Sequence, residues 1–195
     1  MKMLICSDGS EAAEKAIQLG AAIAAAANAE VTLLGLMDTA EKADAVREAL
    51  KRGQELLERH NLHAEVIVKS GEAVGEIAKK TGETSYDLVV IGAARKATSG
   101  RLWMPTNIYK IIKSIQPPVL VAMEKTETLK RVLVCSGSQE YNHATVAVTG
   151  QIARGMGASV TLFHVVPEPP AMYSGLHRME LNVDSVLNSK SLLGR

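Results

Sequence analysis

Two separate stretches of this chain repeat each other. Residues 132–166 align without a gap to residues 3–37 at a constant offset of 129. The identical pairs are Leu4/Leu133, Cys6/Cys135, Ser7/Ser136, Glu11/Glu140, Ile23/Ile152, Ala24/Ala153, Ala29/Ala158, Val31/Val160, Thr32/Thr161 and Leu33/Leu162. A register that holds over a strand-like, a helix-like and a second strand-like segment indicates that one unit has been duplicated.

Short apolar runs alternate with amphipathic segments over residues 1–123. Apolar runs without a helical period are typical of strands buried on both faces. The predicted strands are Met3–Ser7, Val31–Met37, Ala64–Val68, Asp87–Gly92 and Val119–Met123. Because helical segments separate these strands, we expect an α/β fold with a doubly wound, mostly parallel five-stranded sheet, followed by a partial second copy.

The helical segments carry recognisable end signals. Asp8 or Ser10, Asp38 and Thr106 are predicted N-caps, because their side-chain oxygens can accept a bond from a first-turn amide. The first helix should reach about Ala27, and Asn61 is the predicted terminator of the second helix.

The repeat also divides the chain into domains. Residues 1–123 form one complete domain, and residues 124–130 (EKTETLK) are polar and aperiodic, which is typical of a linker. Residues 131–195 are the predicted partial copy, with its first strand, helix and second strand and the region of the next helix. Within that region, Met179–Leu193 is predicted to be a weak helix.

Composition argues against several classes of protein. The net charge is +1 and aromatic residues make up only 3%, which disfavours nucleic acid as a partner. No apolar stretch reaches the roughly 18 residues that span a bilayer, and residues 1–7 are too short for a signal peptide. We expect a cytoplasmic protein whose Cys6 and Cys135 are reduced thiols.

Three sequence segments in a fixed order resemble the universal stress protein family. They are ICSDGSEAAEKA, KSGEAVGEIAKKTGETSYDLVVIGA and QPPVLVAM. The resemblance covers residues 1–123 fully and residues 131–166 as a half copy. It implies the adenine nucleotide alpha hydrolase-like fold, usually as a dimer, with ATP or AMP bound in some members at the carboxyl ends of the strands.

Nucleotide-binding members of that family carry Gly-x2-Gly-x9-Gly-Ser/Thr after the fourth strand. Here Gly92 keeps the first position, Arg95 replaces the second glycine, and Pro105-Thr106 replaces Gly-Ser/Thr, with Asn107 next to it. Proline has no N–H to donate to a phosphate. Either Arg95, Lys96 or Arg101 supplies a cationic clamp for a phosphate, or the site has lapsed and the loop is a solvated basic turn.

Asp8 occupies the position that contacts the nucleoside in binding members, with Cys6 and Leu36 as its expected neighbours. The presence of Asp8 also has a purely local explanation, since an aspartate at this position can cap the first helix. The equivalent of Asp8 in the second copy is Gly137, so we expect no nucleotide there.

No motif in the chain predicts catalysis or metal binding. The sequence lacks a Walker A motif and G-x-G-x-x-G, and His60 and His63 are expected to be a surface pair. We therefore predict a non-enzymatic stress-response binding or regulatory protein with a degenerate adenine-nucleotide site. The alternatives are an ATP/AMP sensor or slow ATPase that uses Asp8, Gly92, Arg95 and Thr106, and a pure interaction scaffold.

The predicted fifth strand has consequences for assembly. In the family this edge pairs with a partner domain, and the second copy has no fifth strand here. An unpaired apolar edge favours association. We therefore expect a homodimer, formed through Val119–Met123 or by a domain swap of the half copy.

Overall fold

The computed structural model describes residues 1–94, 106–136 and 143–164. In chain order the elements are β1 (Lys2–Ser7), α1 (Glu11–Ala27), β2 (Glu30–Met37), a 3-10 turn (Ala40–Lys42), α2 (Ala43–Glu58), β3 (Ala64–Ser70), α3 (Ala73–Glu83), β4 (Leu88–Gly92), α4 (Thr106–Ser114), β5 (Val119–Ala122), β6 (Arg131–Ser136), α5 (His143–Met156) and β7 (Ser159–His164). Arg95, Lys96, Arg101, Pro105, Gly137 and the predicted helix Met179–Leu193 lie outside the described residues.

The first five strands form one sheet in the order β3-β2-β1-β4-β5. Every neighbouring pair in it is parallel. In the central strands β1 and β4, Met3, Leu4, Ile5, Val89 and Val90 are completely buried. The predicted α/β fold with a parallel five-stranded sheet is confirmed.

Helices cover both faces of this sheet. On one face α1 and α2 pack over Met3, Ile5 and Leu33. On the other face Ile77 of α3 and Ile108 of α4 pack over side chains that alternate with these along the strands. Since both faces are buried, the strands read in the sequence as continuous apolar runs.

The sequence signals at the ends of α1 and at the end of α2 are confirmed, and the one before α2 is not. Ser10 caps α1, and Asn61 adopts a left-handed φ of 58° just after α2. Asp38 does not act as a cap, because the 3-10 turn begins after Thr39 and the Asp38 carboxylate binds Lys42 instead. The Asp38 carboxylate pairs with Lys42, four residues later, instead of with a first-turn amide, so the predicted cap at Asp38 is wrong.

The chain packs as two compact units. The first contains residues 1–132 together with residues 143–159, so α5 belongs to it. Among the described residues, the second unit contains residues 133–136 and 160–164, in the two-stranded β6-β7 sheet. No helix of the described residues is both long and apolar enough to cross a membrane.

Hydrogen bonds near the ends of α1 and α5 recur at the offset of the repeat. Asn28 and Gly157 both have a left-handed φ, of 46° and 64°. In each case the amide of the following residue donates a hydrogen bond to the preceding helix. Ala29 N donates to Ala24 O at 2.9 Å, and Ala158 N donates to Ala153 O at 2.8 Å. Glu30 N bonds Met1 O and Ser159 N bonds Lys130 O, at 2.9 and 3.0 Å. These matches support the predicted duplication, while the superposition of the two copies stays a prediction.

Candidate functional site

The loop between β1 and α1 lies at the carboxyl edge of the sheet, where open parallel sheets bind ligands. Its polar side chains bond to the loop itself. Ser7 Oγ accepts a bond from Gly9 N at 3.3 Å, Asp8 Oδ1 accepts one from Ser10 N at 3.0 Å, and Ser10 Oγ accepts one from Ala13 N at 3.2 Å. The N-cap is therefore Ser10, and Asp8 stabilises the turn before it.

Gly9 fixes how this loop sits against α2. It has a left-handed φ of 76°, and a Cβ there would lie 2.9 Å from the carbonyl carbon of Ala45 and the nitrogen of Val46. A side chain at this position would clash with the backbone of α2, and the left-handed φ would strain any residue other than glycine. The loop that carries Asp8 is therefore held close to the first turns of α2.

Cys6 and Leu36 come together in the core on the α3 and α4 side of the sheet. Their exposed fractions are 4% and 5%. Burial raises the pKa of the Cys6 thiol to about 12, so at neutral pH it is a neutral thiol. Both residues thus belong to one buried cluster, and their predicted place beside Asp8 in a nucleotide pocket stays a prediction.

Gly92 ends β4, and its hydrogen atom faces the first turn of α1. A Cβ at residue 92 would overlap the backbone carbonyl of Ala12 and lie 2.8 Å from the nitrogen of Ala13. The glycine is therefore required where the strand and the helix touch. The sequence suggested only a phosphate-binding role for this residue, because the approach of Ala12 depends on tertiary packing.

Thr106 and Asn107 are the first two residues of α4, and both are exposed. Residues 95–105 are outside the described part of the chain, so the predicted N-cap role of Thr106 stays a prediction. Amides in the first turn of a helix favour an anion. The spatial relation of these residues to Arg95 is outside the described part of the chain.

A charged pair follows β2 at the same edge. Lys42 Nζ lies 2.8 Å from Asp38 Oδ2. The hydrogen bond from Lys42 lowers the pKa of Asp38, and the Asp38 carboxylate, with a smaller contribution from Asp8, raises the pKa of Lys42. Sequence reasoning missed Lys42 as a neighbour of Asp8, although the Asp-x3-Lys spacing is a signal for an ion pair on one helical face.

Two clefts lie away from this edge. One of about 210 Å³ lies between α1 and α2 and is lined by Arg52 and Arg59 among others. The other, of about 360 Å³, lies at the amino end of the sheet beside Met1, Tyr86 and α5. No cluster of three or more His, Cys, Asp or Glu side chains in the described residues could hold a metal ion.

The fold and the position of this loop define a doubly wound α/β protein with a candidate ligand site at the carboxyl edge of its sheet. A model of the universal stress protein family matches residues 1–122, which is more than half of the chain. The chain therefore belongs to the universal stress protein family. No curated protein matches its sequence significantly.

Solved structures share the fold. A universal stress protein from Archaeoglobus fulgidus DSM 4304 has 18% identity and a TM-score of 0.68, over 89% of this chain and 70% of that chain. Another from Archaeoglobus fulgidus has 18% identity and a TM-score of 0.54, over 62% of this chain and 97% of that one. A universal stress protein in complex with cAMP has 16% identity and a TM-score of 0.50, over 65% and 98% of the two chains. At these identities the similarity establishes the fold alone.

Proposed function

We propose that this universal stress protein is a non-enzymatic binding or regulatory module of the stress response whose adenine-nucleotide site is weakened. The proposal rests on the observation that the polar side chains after β1 form hydrogen bonds within their own loop. Asp8, Ser7 and Ser10 each accept a backbone hydrogen bond within the loop. They therefore stabilise the fold as they stand, without a ligand.

The chemistry of the two reactive side chains supports a binding role over catalysis. A nucleophilic cysteine needs a lowered pKa and access to solvent, whereas burial raises the pKa of Cys6 to about 12. Ser7 is 1% exposed, so its hydroxyl is covered by the protein. Both residues fit a structural role at the end of β1.

The alternative is an ATP/AMP sensor or slow ATPase that uses Asp8, Gly92, Arg95 and Thr106. One observation favours it: Asp8 is exposed and interacts electrostatically with Lys42, so charged groups of both signs are present at the edge. A relative of the same fold is known in complex with cAMP. The two proposals predict different affinities for ATP. A weakened site requires that Arg95 and Pro105, which replace the family's glycines, reduce the contacts to phosphate.

A pair of titrations tests the weakened site. ATP and AMP are titrated into the natural protein and into a variant with Arg95→Gly and Pro105→Gly, while Glu127→Gly, at an exposed position between β5 and β6, controls for an added glycine. Each charge-assisted phosphate-to-amide bond is worth about 1.5–3 kcal/mol, so the double variant should bind about two to four orders of magnitude more tightly.

Three results would contradict the proposal. Low micromolar binding of ATP by the natural protein, with no gain in the double variant, would show that the replaced glycines do not weaken the site. ATP hydrolysis by the natural protein that Asp8→Asn abolishes would favour the ATPase alternative. A gain in the Glu127→Gly control would assign the effect to chain flexibility instead of phosphate contacts.

The homodimer is also a proposal, and the outer edge of the sheet supports it. Val119 and Val121 of β5 are only partly buried, and β5 pairs with β4 alone in the five-stranded sheet. On the neighbouring helix α4, Tyr109 and Ile112 are 55% and 39% exposed. A second β5 would cover these apolar groups and pair the edge; exchange of the half copy is the other route to a dimer.

Sedimentation at micromolar concentration tests this edge. We expect a dimeric mass for the natural protein and a shift towards monomer for Tyr109→Lys with Ile112→Lys, because both side chains are exposed and their loss should leave the fold intact. Val146→Lys is a matched control on α5, where the side chain is 44% exposed. A monomeric mass for the natural protein would refute the dimer, and an equal shift in the control would refute the role of α4.

A further inference from the structure

The cleft of about 360 Å³ at the amino end of the sheet has the size of a ligand site. Its lining comes from the end of α3, from the segments that precede β1, β4 and β5, and from α5. All of these belong to the first compact unit. Small-molecule sites usually have volumes of about 300–1,000 Å³, so the cleft is large enough to take one small ligand.

The helix α5 supplies one side of the cleft. The residues that it contributes are spaced as one helical face, and they are Ala144, Ala147, Val148 and Gln151. Val148 is also buried in the core of the first domain, and a Cβ on Gly155 would lie only 2.6 Å from the carbonyl oxygen of Ala26 in α1. Since α5 lies in the repeated segment, the two copies build this cleft together.

The opposite side of the cleft is held in place before any ligand arrives. Tyr86 is 7% exposed, and its hydroxyl donates to Thr32 Oγ1 at 3.2 Å. Thr32 Oγ1 in turn donates to Glu65 Oε2 at 3.3 Å. Pro117 and Pro118 next to it have a fixed φ. A wall that is already ordered costs a ligand little conformational entropy on binding.

Three uncharged polar side chains from three different segments line the same cleft. They are Ser85 before β4, Gln116 before β5 and Gln151 on α5. Within the part of the chain that the structure describes, none of these side chains forms a hydrogen bond to another residue. A carboxamide and a hydroxyl can each donate and accept. The cleft therefore offers donors and acceptors together, next to apolar walls.

Charge distinguishes this cleft from the candidate nucleotide site. Among the described residues that line it, Asp87 has the only charged side chain, and Asp87 Oδ2 already accepts a hydrogen bond from Lys2 N at 2.7 Å. Lysine or arginine side chains, which bind phosphate well, are missing from this described lining. The six residues of β1 rise about 3.3 Å each, so about 17 Å separates its two ends.

We propose that this cleft binds a small uncharged ligand whose apolar body carries a carboxamide, or a similar edge that both donates and accepts hydrogen bonds. The apolar body packs between Tyr86 and Val148. The polar edge pairs with Gln116 and Gln151, because one carboxamide can donate to and accept from another at the same time. This site is separate from the carboxyl edge of the sheet and does not depend on nucleotide binding.

Three probes that share one ring test the class of ligand. Benzamide is uncharged, benzoate is an anion that only accepts, and benzylammonium is a cation that only donates. Each is titrated into the natural protein while the side-chain amide signals of Gln116 and Gln151 are followed by nuclear magnetic resonance. Benzamide should bind at about millimolar concentration. Each charged probe forgoes a hydrogen bond and should bind about 2–12-fold more weakly.

A matched pair of substitutions on α5 tests the place of binding. Ala147 is exposed and lines the cleft, whereas Val146 next to it is 44% exposed and is outside the lining. Ala147→Phe should weaken benzamide binding about tenfold or more, because the added ring fills the volume that would bury the probe. Val146→Phe should leave it unchanged. Gln151→Leu should weaken it about 2–12-fold through the loss of one hydrogen bond.

Each outcome decides for or against the proposal. Unchanged amide signals at about 20 mM benzamide, far above the affinity expected for a probe of this size, would overturn it. Equal affinity for the three probes would show an unselective apolar cleft, and a preference for benzylammonium would show that Asp87 selects a cation; both results overturn the uncharged class. An equal loss in Val146→Phe would overturn the assignment to this cleft. Preference for benzamide together with losses confined to Ala147→Phe and Gln151→Leu supports the proposal.

Discussion

Replacement of Gly92 by alanine is expected to force α1 away from the sheet. The missing Cβ of Gly92 leaves room for the backbone carbonyl of Ala12, which a methyl group would overlap. Neither side can move freely, because Gly92 is paired with Ala122 of β5 and Ala12 lies in the first turn of α1. The strain therefore falls on the contact between a central strand and the helix that carries the candidate site loop.

The size of the effect follows from this geometry. Overpacking that flexible side chains can relieve costs about 1–3 kcal/mol, and here both obstacles are backbone, so we expect about 3 kcal/mol or more. In a protein of this length each 1 kcal/mol lowers the melting temperature by about 2–4 °C. Gly92→Ala should therefore melt about 6–12 °C below the natural protein.

The assay is thermal and urea unfolding followed by far-ultraviolet circular dichroism. Gly82→Ala in α3 is the matched control, since a Cβ there meets no atom within 4 Å, and it should stabilise the protein by about 0.5–1 kcal/mol through helix propensity. A Gly92→Ala variant that melts within 2 °C of the natural protein, by the same scale of about 2–4 °C per kcal/mol, would refute the steric explanation of this glycine.

Two further predictions concern the loop and the end of β1. Ser10→Ala should lower the free energy of unfolding by about 1 kcal/mol, measured in urea, because the bond from Ala13 N to the cap is lost; Ser10→Asn should restore most of it. The folded-state pKa of Cys6, about 12, lies above its ordinary 9.0, so the unfolded state ionises first and stability is lost as pH rises from 9 towards 12. Between pH 9 and 11 the natural protein should lose about 2–3 kcal/mol more than Cys6→Ala; parallel pH profiles would contradict this.

The local pattern of the sequence determined most of the fold. Apolar runs identified the five strands, and β1 and β4 are buried on both faces as those runs required. The serine before α1 and the asparagine after α2 act at the helix ends. These features depend on neighbours within a few residues, so the chain order alone is enough to read them.

The candidate site was predictable only in part. Asp8 was recognised from its place after β1, and both of its possible roles could be stated. Its bond to Ser10 N and its proximity to Lys42 required coordinates. The partners of a polar side chain are set by which loops meet at the edge of the sheet, and one sequence does not fix those distances.

Tertiary structure decided the points that depend on close approach between distant segments. Gly92 matched a phosphate-loop pattern in the sequence, but the structure shows that it admits the backbone of Ala12. Gly155 carried no signal at all, because its importance arises from the docking of α5 on Ala26, its equivalent in the repeat. The sequence by itself determined the repeated unit and its register, since these are properties of residue order. How α5 packs against α1 was decided by tertiary structure, because van der Waals contact depends on distances in space.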